Sequence, residues 1–453
     1  MLSASASTVF DSLLFRDTFG TPAMRKVFSD ASLIRKYITT EIALAKAQSR
    51  LNVIPPTAAA DIESRIKFEQ LDFERLKQET ENVGYPILPL VTQLAEQCED
   101  AGRYIHWGAT TQDIMDTANA LQIKEALALV ESDIRALRKI LQELASTYKD
   151  TPMAGRTHLQ QALPITFGYK CAIWLGMFDR HEQRLQELKP RVEVGQLAGA
   201  AGTLASLGDM GLEVQAEMMR ELGLGIPDTT WHVARDNFAE TLNFLALVTG
   251  SLGKIALDIM LMASTEYAEV YEPFVKGRGA SSTMPQKRNP ISSEIMLACA
   301  KGVRQHAGLM LDAMVQDFER ATGPWHAEWI AIPESFLLTA SALAQARFAL
   351  GGLEVDAAQM QKNLDISKGL IVAESVMMAL APHVGKHQAH EVVYEACRKV
   401  NSGGQTLAEV LMQTPAITQH LSDAQIQALT NPANYLGKAP EMVVLALNAS
   451  ARI

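Results

Sequence analysis

The stretch Leu127-Ala-Leu-Val-Glu-Ser-Asp-Ile-Arg-Ala-Leu-Arg-Lys-Ile-Leu-Gln-Glu-Leu144 decides the fold. Its apolar residues Leu127, Val130, Ile134, Leu137, Leu141 and Leu144 recur at alternating steps of three and four, the spacing that keeps one stripe of a helix facing a partner. No proline lies between Pro89 and Pro152, Pro227 and Pro273, Pro290 and Pro324, or Pro333 and Pro382. These intervals favour helix, and strand-like alternation is scarce. A helix over 116–148 would be about 50 Å long at 1.5 Å per residue, and rods of that length imply an elongated bundle. The expected fold is therefore all-α. A central long-helix bundle over 113–352 is flanked by smaller helical domains over 1–112 and 353–453, with Gly351-Gly352 marking the second boundary. Too many helix faces are apolar for one bundle to cover, so burial between subunits is expected as well.

Composition narrows the function. A chain of 453 residues has room for two or three domains, and 48% hydrophobic content with 6% aromatics implies a core of Leu, Ile, Val, Ala and Met. A net charge of −10 argues against nucleic acid, because phosphate binding needs a basic surface. It leaves room for a small acidic substrate held by a few local cations. Cys98, Cys171, Cys299 and Cys397 form no Cys-x-x-Cys pair and read as buried free thiols of a reducing compartment. Residues 1–7, Met-Leu-Ser-Ala-Ser-Ala-Ser, lack the basic and apolar regions of a secretory signal. A cytoplasmic protein is expected, and Asn448-Ala449-Ser450 is then a chance sequon. The apolar run Leu242–Ala263 carries Lys254 and Asp258, so a buried bundle helix is expected and no membrane span.

Chemistry concentrates at Gly279-Ala-Ser-Ser-Thr-Met-Pro-Gln-Lys-Arg-Asn-Pro290. Gly277, Gly279 and Ala280 make the approach flexible, while Pro285 and Pro290 stop a helix from running through. Ser281 and Lys287 are thus expected on a loop able to close over an anion. The stretch resembles the signature loop of the fumarase/aspartase superfamily, Ser-Ser-x-Met-Pro-x-Lys-x-Asn-Pro, and matches it at every fixed position. The resemblance covers nearly the whole chain. Within the superfamily it is strongest to the family of bacterial 3-carboxy-cis,cis-muconate cycloisomerases, through 22–30, Pro324–Trp329 and Asn431–Gly437.

Two further segments gain meaning from that resemblance. His106-Trp-Gly-Ala-Thr110-Thr111-Gln-Asp113 precedes the heptad helix, with Asp113 or Asp116 as the expected N-cap. Two hydroxyls near a helix N-terminus suit a carboxylate, and the resemblance implies a substrate segment containing His106, Thr110 and Thr111. Thr157-His158-Leu-Gln160 looks like a family segment that opens the next long helix. The resemblance pairs His158 with Glu294, a carboxylate that would fix the imidazole tautomer. Some bacterial cycloisomerases lack this pair, so His158 is either a catalyst or a positioning group. Arg235, beside Asp236, either holds a substrate acid or forms a structural ion pair.

Other features read blandly. Gly195–Gly211 is Gly/Ala-rich but carries neither a dinucleotide nor a phosphate-loop pattern, so close backbone packing is expected. His383, His387 and His390 lack the companions of a zinc motif. Trp325-His326-Ala-Glu328-Trp329 either walls a planar substrate or packs.

The implied chemistry is proton transfer at a carbon beside a carboxylate, coupled to a bond change at the neighbouring carbon. Charge builds into an aci-carboxylate, which needs strong donors at both oxygens. Lys287 and Asn289 fit that task, with Ser281 as proton carrier. Ser282, Met284, Gln160 and Arg235 complete the implied substrate contacts. No metal or organic cofactor is implied. The resemblance implies a homotetramer with sites shared between subunits, acting on a small tricarboxylate. The rival is an adenylosuccinate lyase-type elimination, although residues 79–86 lack that enzyme's second histidine. A non-catalytic structural protein on the same scaffold is the alternative from another class, and the intact Ser281, Lys287 and Asn289 weigh against it.

Overall fold

A computed structural model describes residues 6–320 and 322–453. Residues 1–5 of the segment read for a signal lie outside the described residues. Helices carry 67% of the chain and strands 5%, so the all-α expectation stands. The helices that matter for the site are α1 (Asp30–Arg50) and α2 (Thr111–Thr147). After α2 come strands β1 (Pro152–Thr157) and β2 (Gln160–Thr166), then α3 (Phe167–Val192) and α4 (Asp236–Met262). The chain continues through β3 (Val270–Tyr271), α5 (Ile291–Ala313), α6 (Pro324–Gly351) and β4 (Glu354–Val355).

Helix α2 runs 37 residues, and its heptad explains why. Leu127, Val130, Ile134, Leu137 and Leu141 are all buried, whereas Leu144 is partly exposed and Ala145 takes the buried place. The stripe shifts because 3.6 residues per turn does not divide seven. Neither Asp113 nor Asp116 caps this helix, which begins at Thr111. Asp113 instead reaches back from the first turn to accept from Thr110 N–H at 3.0 Å, the acidic half of a capping box.

The chain divides into two compact units. One comprises Met1–Asp133, His181–Gly250 and Ala298–Ala344; the other comprises Ile134–Arg180, Ser251–Leu297 and Gln345–Ile453. In the first, α1 packs with residues 54–118 around Ile62, Leu90, Leu94 and Ile114. Trp325 lies in this core, stacked on Tyr85 at 5.6 Å, and Trp329 packs against it. Trp325 therefore serves packing. The loop 195–204 adjoins a second cluster holding Leu197, Val214, Met218 and Met219. A Cβ on Gly195 would run into Met219 Sδ, so this loop is glycine-rich for close approach.

In the second unit, helices Ala373–Val384 and Lys386–Ser402 enclose a small core around Leu380, Val393 and Leu411. Gly385, at φ +84, separates His383 from His387 and His390. His383 stacks on His420 and His390 on Tyr394. The Ser450 hydroxyl is buried, donating to Asp179 at 2.7 Å and accepting from Arg138 and Gln142. Asp258 of α4 accepts from Trp174 Nε1 at 3.2 Å and from Lys254 at 2.6 Å. Among the described residues α4 is the one helix long and apolar enough to cross a membrane, a test that core helices of soluble proteins also pass. All four cysteines are free; Cys98, Cys171 and Cys299 are buried, and burial raises each thiol's pKa.

Residues 152–166 depart from expectation. They do not open a helix. They form an antiparallel hairpin pairing Pro152 with Thr166 and Thr157 with Gln160, and α3 begins only at Phe167. His158 and Leu159 make the two-residue turn at φ +53 and +62, the left-handed pair that matches hairpin twist. Pro164 within this stretch cannot donate a helical N–H. Met153 and Ala154 are both buried, and Ala154 packs against Leu364, Ile371 and Val372.

Candidate active site

The second unit holds the signature loop. Its base is fastened by two arginines. Arg288 makes a bidentate pair with Glu354 at 3.0 and 2.8 Å and donates to the Glu272 carbonyl. Arg278 donates to Ser292 Oγ and Gln345 Oε1, both at 2.6 Å. The buried Glu272 carboxylate caps α5 by accepting from Ser292 N–H and Ser293 N–H, complementing the helix dipole. Asn289 N–H donates to the Gly279 carbonyl at 3.1 Å, and Ala280 bridges Arg288. Gly279 sits at φ +66, where a Cβ would come within 2.5 Å of the Asn289 carbonyl oxygen. Only glycine closes the loop this way.

Above that base the chain is exposed. Ser281 Oγ accepts from the N–H groups of Met284 at 3.0 Å and Thr283 at 3.3 Å. Two amide dipoles aimed at one hydroxyl oxygen are the arrangement that stabilises an alkoxide. The Lys287 ammonium is exposed and has no acidic partner among the described residues. Lys287 and Asn289 line a cavity of about 210 Å³ together with Phe274, Arg278 and Pro285. Ser282 and Met284 are exposed on the same turn. His158 and Gln160 stand exposed at the hairpin tip, and Glu294 is exposed in the first turn of α5. No hydrogen bond joins His158 to Glu294 within the chain.

The first unit holds the other expected residues. His106, at φ +61, donates its backbone N–H to Glu41 Oε2 of α1 at 3.1 Å, and its Nδ1 lies 2.7 Å from Glu41 Oε1. Burial alone would favour the neutral imidazole, but the Glu41 carboxylate outweighs it and raises the His106 pKa. Thr110 and Thr111, both partly exposed, begin α2. Asp113, fully buried, accepts from Ala198 N–H at 2.9 Å and Gly199 N–H at 3.0 Å, and pairs with His232 Nε2 at 2.7 Å. That carboxylate thus ties the threonines to the glycine-rich loop.

Arg235, expected either to hold a substrate acid or to form a structural ion pair, forms the ion pair. Its five N–H groups donate to Asp116, Glu328 and the Trp231 carbonyl, at 2.5 to 3.4 Å. All three ionised side chains are buried, and the two carboxylates keep the guanidinium charged despite burial. No donor remains for a ligand.

Four residues near the expected ones were not singled out in the sequence. Glu41 is a lone acid on an apolar helix face, and His232 and Glu272 stand in unremarkable loops. Arg320 donates to Thr110 Oγ1 at 2.9 Å across 210 positions of sequence. A buried acid on an apolar stripe was the one sign that could have exposed Glu41.

Comparison with known proteins gives the family. The Lyase family profile matches residues 16–304, and the profile for the adenylosuccinate lyase C-terminus matches residues 369–445. The chain is 46% identical to trans-aconitate decarboxylase 1 of Mycosarcoma maydis, over 98% of this chain and 89% of that protein. It is 44% identical to 3-carboxy-cis,cis-muconate cycloisomerase of Pseudomonas aeruginosa, over 96% and 95%. It shares 54% identity and a TM-score of 0.90 with the crystal structure of a fumarate lyase from Mesorhizobium sp. BNC1, covering 95% of this chain and 98% of that one. With a complete signature loop, an amide-cradled serine and these relatives, the chain belongs to the fumarase/aspartase superfamily and is one of its enzymes.

Proposed function

We propose that this enzyme closes 3-carboxy-cis,cis-muconate to 4-carboxymuconolactone, in aromatic degradation through the β-ketoadipate route. The observation that carries the reading is Ser281 Oγ held by two loop amides on the same turn as the unpaired Lys287. One substrate carboxylate oxygen adds to the near carbon of a C=C bond. The displaced electron pair moves through the far carbon into its carboxylate, forming an aci-carboxylate. Lys287 and Asn289 stabilise that charge, and the Ser281 hydroxyl delivers a proton to the far carbon. The resulting alkoxide rests on the Thr283 and Met284 amides until water reprotonates it, so the trianion takes up one proton to give a dianionic lactone. His158 mainly positions the substrate, because the group expelled in reverse is a stable carboxylate that needs little protonation.

In this reading the working form is a cytoplasmic homotetramer. The exposed His158, Gln160 and Glu294, the signature loop and the His106–Thr111 segment face one another across subunits there, and His158 meets Glu294.

The 46% identity to a trans-aconitate decarboxylase supports a second reading. Loss of CO₂ from an unsaturated tricarboxylate also leaves an electron pair beside a carboxylate and needs a proton at carbon. Three parallel assays separate the candidates: loss of diene absorbance with 3-carboxy-cis,cis-muconate, CO₂ release from trans-aconitate, and turnover of adenylosuccinate. Diene loss well above the other two is expected. An unchanged diene with CO₂ release from trans-aconitate would replace the first reading by the second.

A further inference from the structure

We infer that Arg320 grips the carboxylate that distinguishes a tricarboxylate from a dicarboxylate substrate, an assignment that rests on the tricarboxylate reading above. Arg320 lies between α5 and α6 and is partly buried. One terminal nitrogen donates to Thr110 Oγ1 at 2.9 Å and the other to the Ala200 carbonyl at 2.9 Å. Both acceptors are neutral. No carboxylate pairs with this guanidinium among the described residues, and its Nε is buried without a partner.

The contrast with Arg235 is physical. There, two carboxylates and the Trp231 carbonyl take up all five N–H groups, and the carboxylates more than offset the positive charge. At Arg320, two of five N–H groups are bound, each terminal nitrogen keeps a second one, and the positive charge is left whole. A guanidinium fixed in orientation by neutral acceptors is pre-organised for a bidentate carboxylate. Its position adds to this. It is bonded to Thr110, whose neighbour Thr111 opens the 37-residue α2, and to the glycine-rich loop that Asp113 ties down. A carboxylate held between the fork and the threonine hydroxyls would use donors that the chain alone leaves unsatisfied. A carboxylate grip and a mere strap between two loops differ in what they do to substrate selectivity.

The test compares wild type with Arg320→Met and Arg320→Lys, using 3-carboxy-cis,cis-muconate and cis,cis-muconate, which lacks the third carboxylate. Losing a charge-assisted pair is expected to raise KM for the tricarboxylate by about 10- to 100-fold in Arg320→Met, with kcat changed far less. KM for the dicarboxylate should stay nearly constant, so discrimination between the two collapses. Arg320→Lys, which keeps a cation without the fork, should fall between. Calorimetric binding of tricarballylate against glutarate gives a readout independent of turnover. Wild type should prefer the former, and Arg320→Met should not. If that preference holds and vanishes in the variant while neither muconate is turned over, the proposed reaction fails and the Arg320 assignment stands. Equal weakening of both ligands, or a fall in kcat alone, would make Arg320 a strap and overturn the assignment.

Discussion

A serine hydroxyl gives up its proton only reluctantly, so Ser281 can exchange one with carbon only where its oxyanion is held. The amides of Thr283 and Met284 supply that hold. Ser281→Ala is therefore expected to lower kcat by about 10²- to 10⁴-fold, the usual reach of a positioned acid–base group. KM should move little, and steady-state assays with the preferred tricarboxylate check this. His106 makes a different prediction. Its folded-state pKa is raised above the ordinary 6.5 by Glu41, so the pair's contribution is complete below that value and is lost as pH climbs through the folded pKa. Urea denaturation of wild type and Glu41→Gln, followed from about pH 6 to about pH 9, should show the wild-type advantage shrinking. Parallel profiles would mean the Glu41 contact does not govern the imidazole. Residue identities inside motifs were legible: Ser281, Lys287 and Asn289 lie on one exposed loop as their spacing implied. Arg235 was legible only as a charge, because nothing in its own neighbourhood announces Asp116 or Glu328, each about a hundred positions away.

Among elements, helices were easier to read than the hairpin. Helix α2 declared itself by a long apolar stripe, a signal summed over many residues. The 152–166 hairpin has a two-residue turn of His158 and Leu159 rather than Asn-Gly, so the usual hairpin mark is missing. Packing of Ala154 against Leu364 and Val372 overrides the weak local preference. The signature loop is the element where backbone geometry matters most. Gly279→Ala would place a methyl 2.5 Å from the Asn289 carbonyl oxygen, at a φ costing an L-residue roughly 1–2 kcal/mol. Because the loop is exposed, the fold should survive. We expect an unchanged helical circular dichroism spectrum and kcat/KM lowered at least about 10-fold, the loss that mispositioned groups bring. A variant retaining full activity would show that the Gly279–Asn289 closure does not shape the site.

The whole molecule leaves much apolar surface open. Leu247, Leu257 and Leu261 of α4 are 51%, 48% and 42% exposed, and Val315 and Phe318 reach 79% and 88%. Surfaces of that kind mark contacts between chains, and symmetric association is the common way to cover them. Light scattering should give about four times the 49.5 kDa of one chain. The double change Leu247→Glu and Leu257→Glu should yield smaller, still helical species without activity; an active monomer would sink the shared-site arrangement.

Sequence by itself determined the helical class, the long α2 and the chemistry of the 279–290 loop. Each is written in neighbouring residues, as periodicity or as the joint constraint of glycine, proline and polar groups. Tertiary structure alone decided that Arg235 is neutralised and Arg320 is not, that His106 answers to Glu41, and that His158 caps a hairpin. Those outcomes depend on partners 65 to 210 positions distant for His106, Arg235 and Arg320, and on packing against residues beyond 360 for the hairpin. Local propensity carries no record of such contacts; the burial that creates them exists only once the chain has folded.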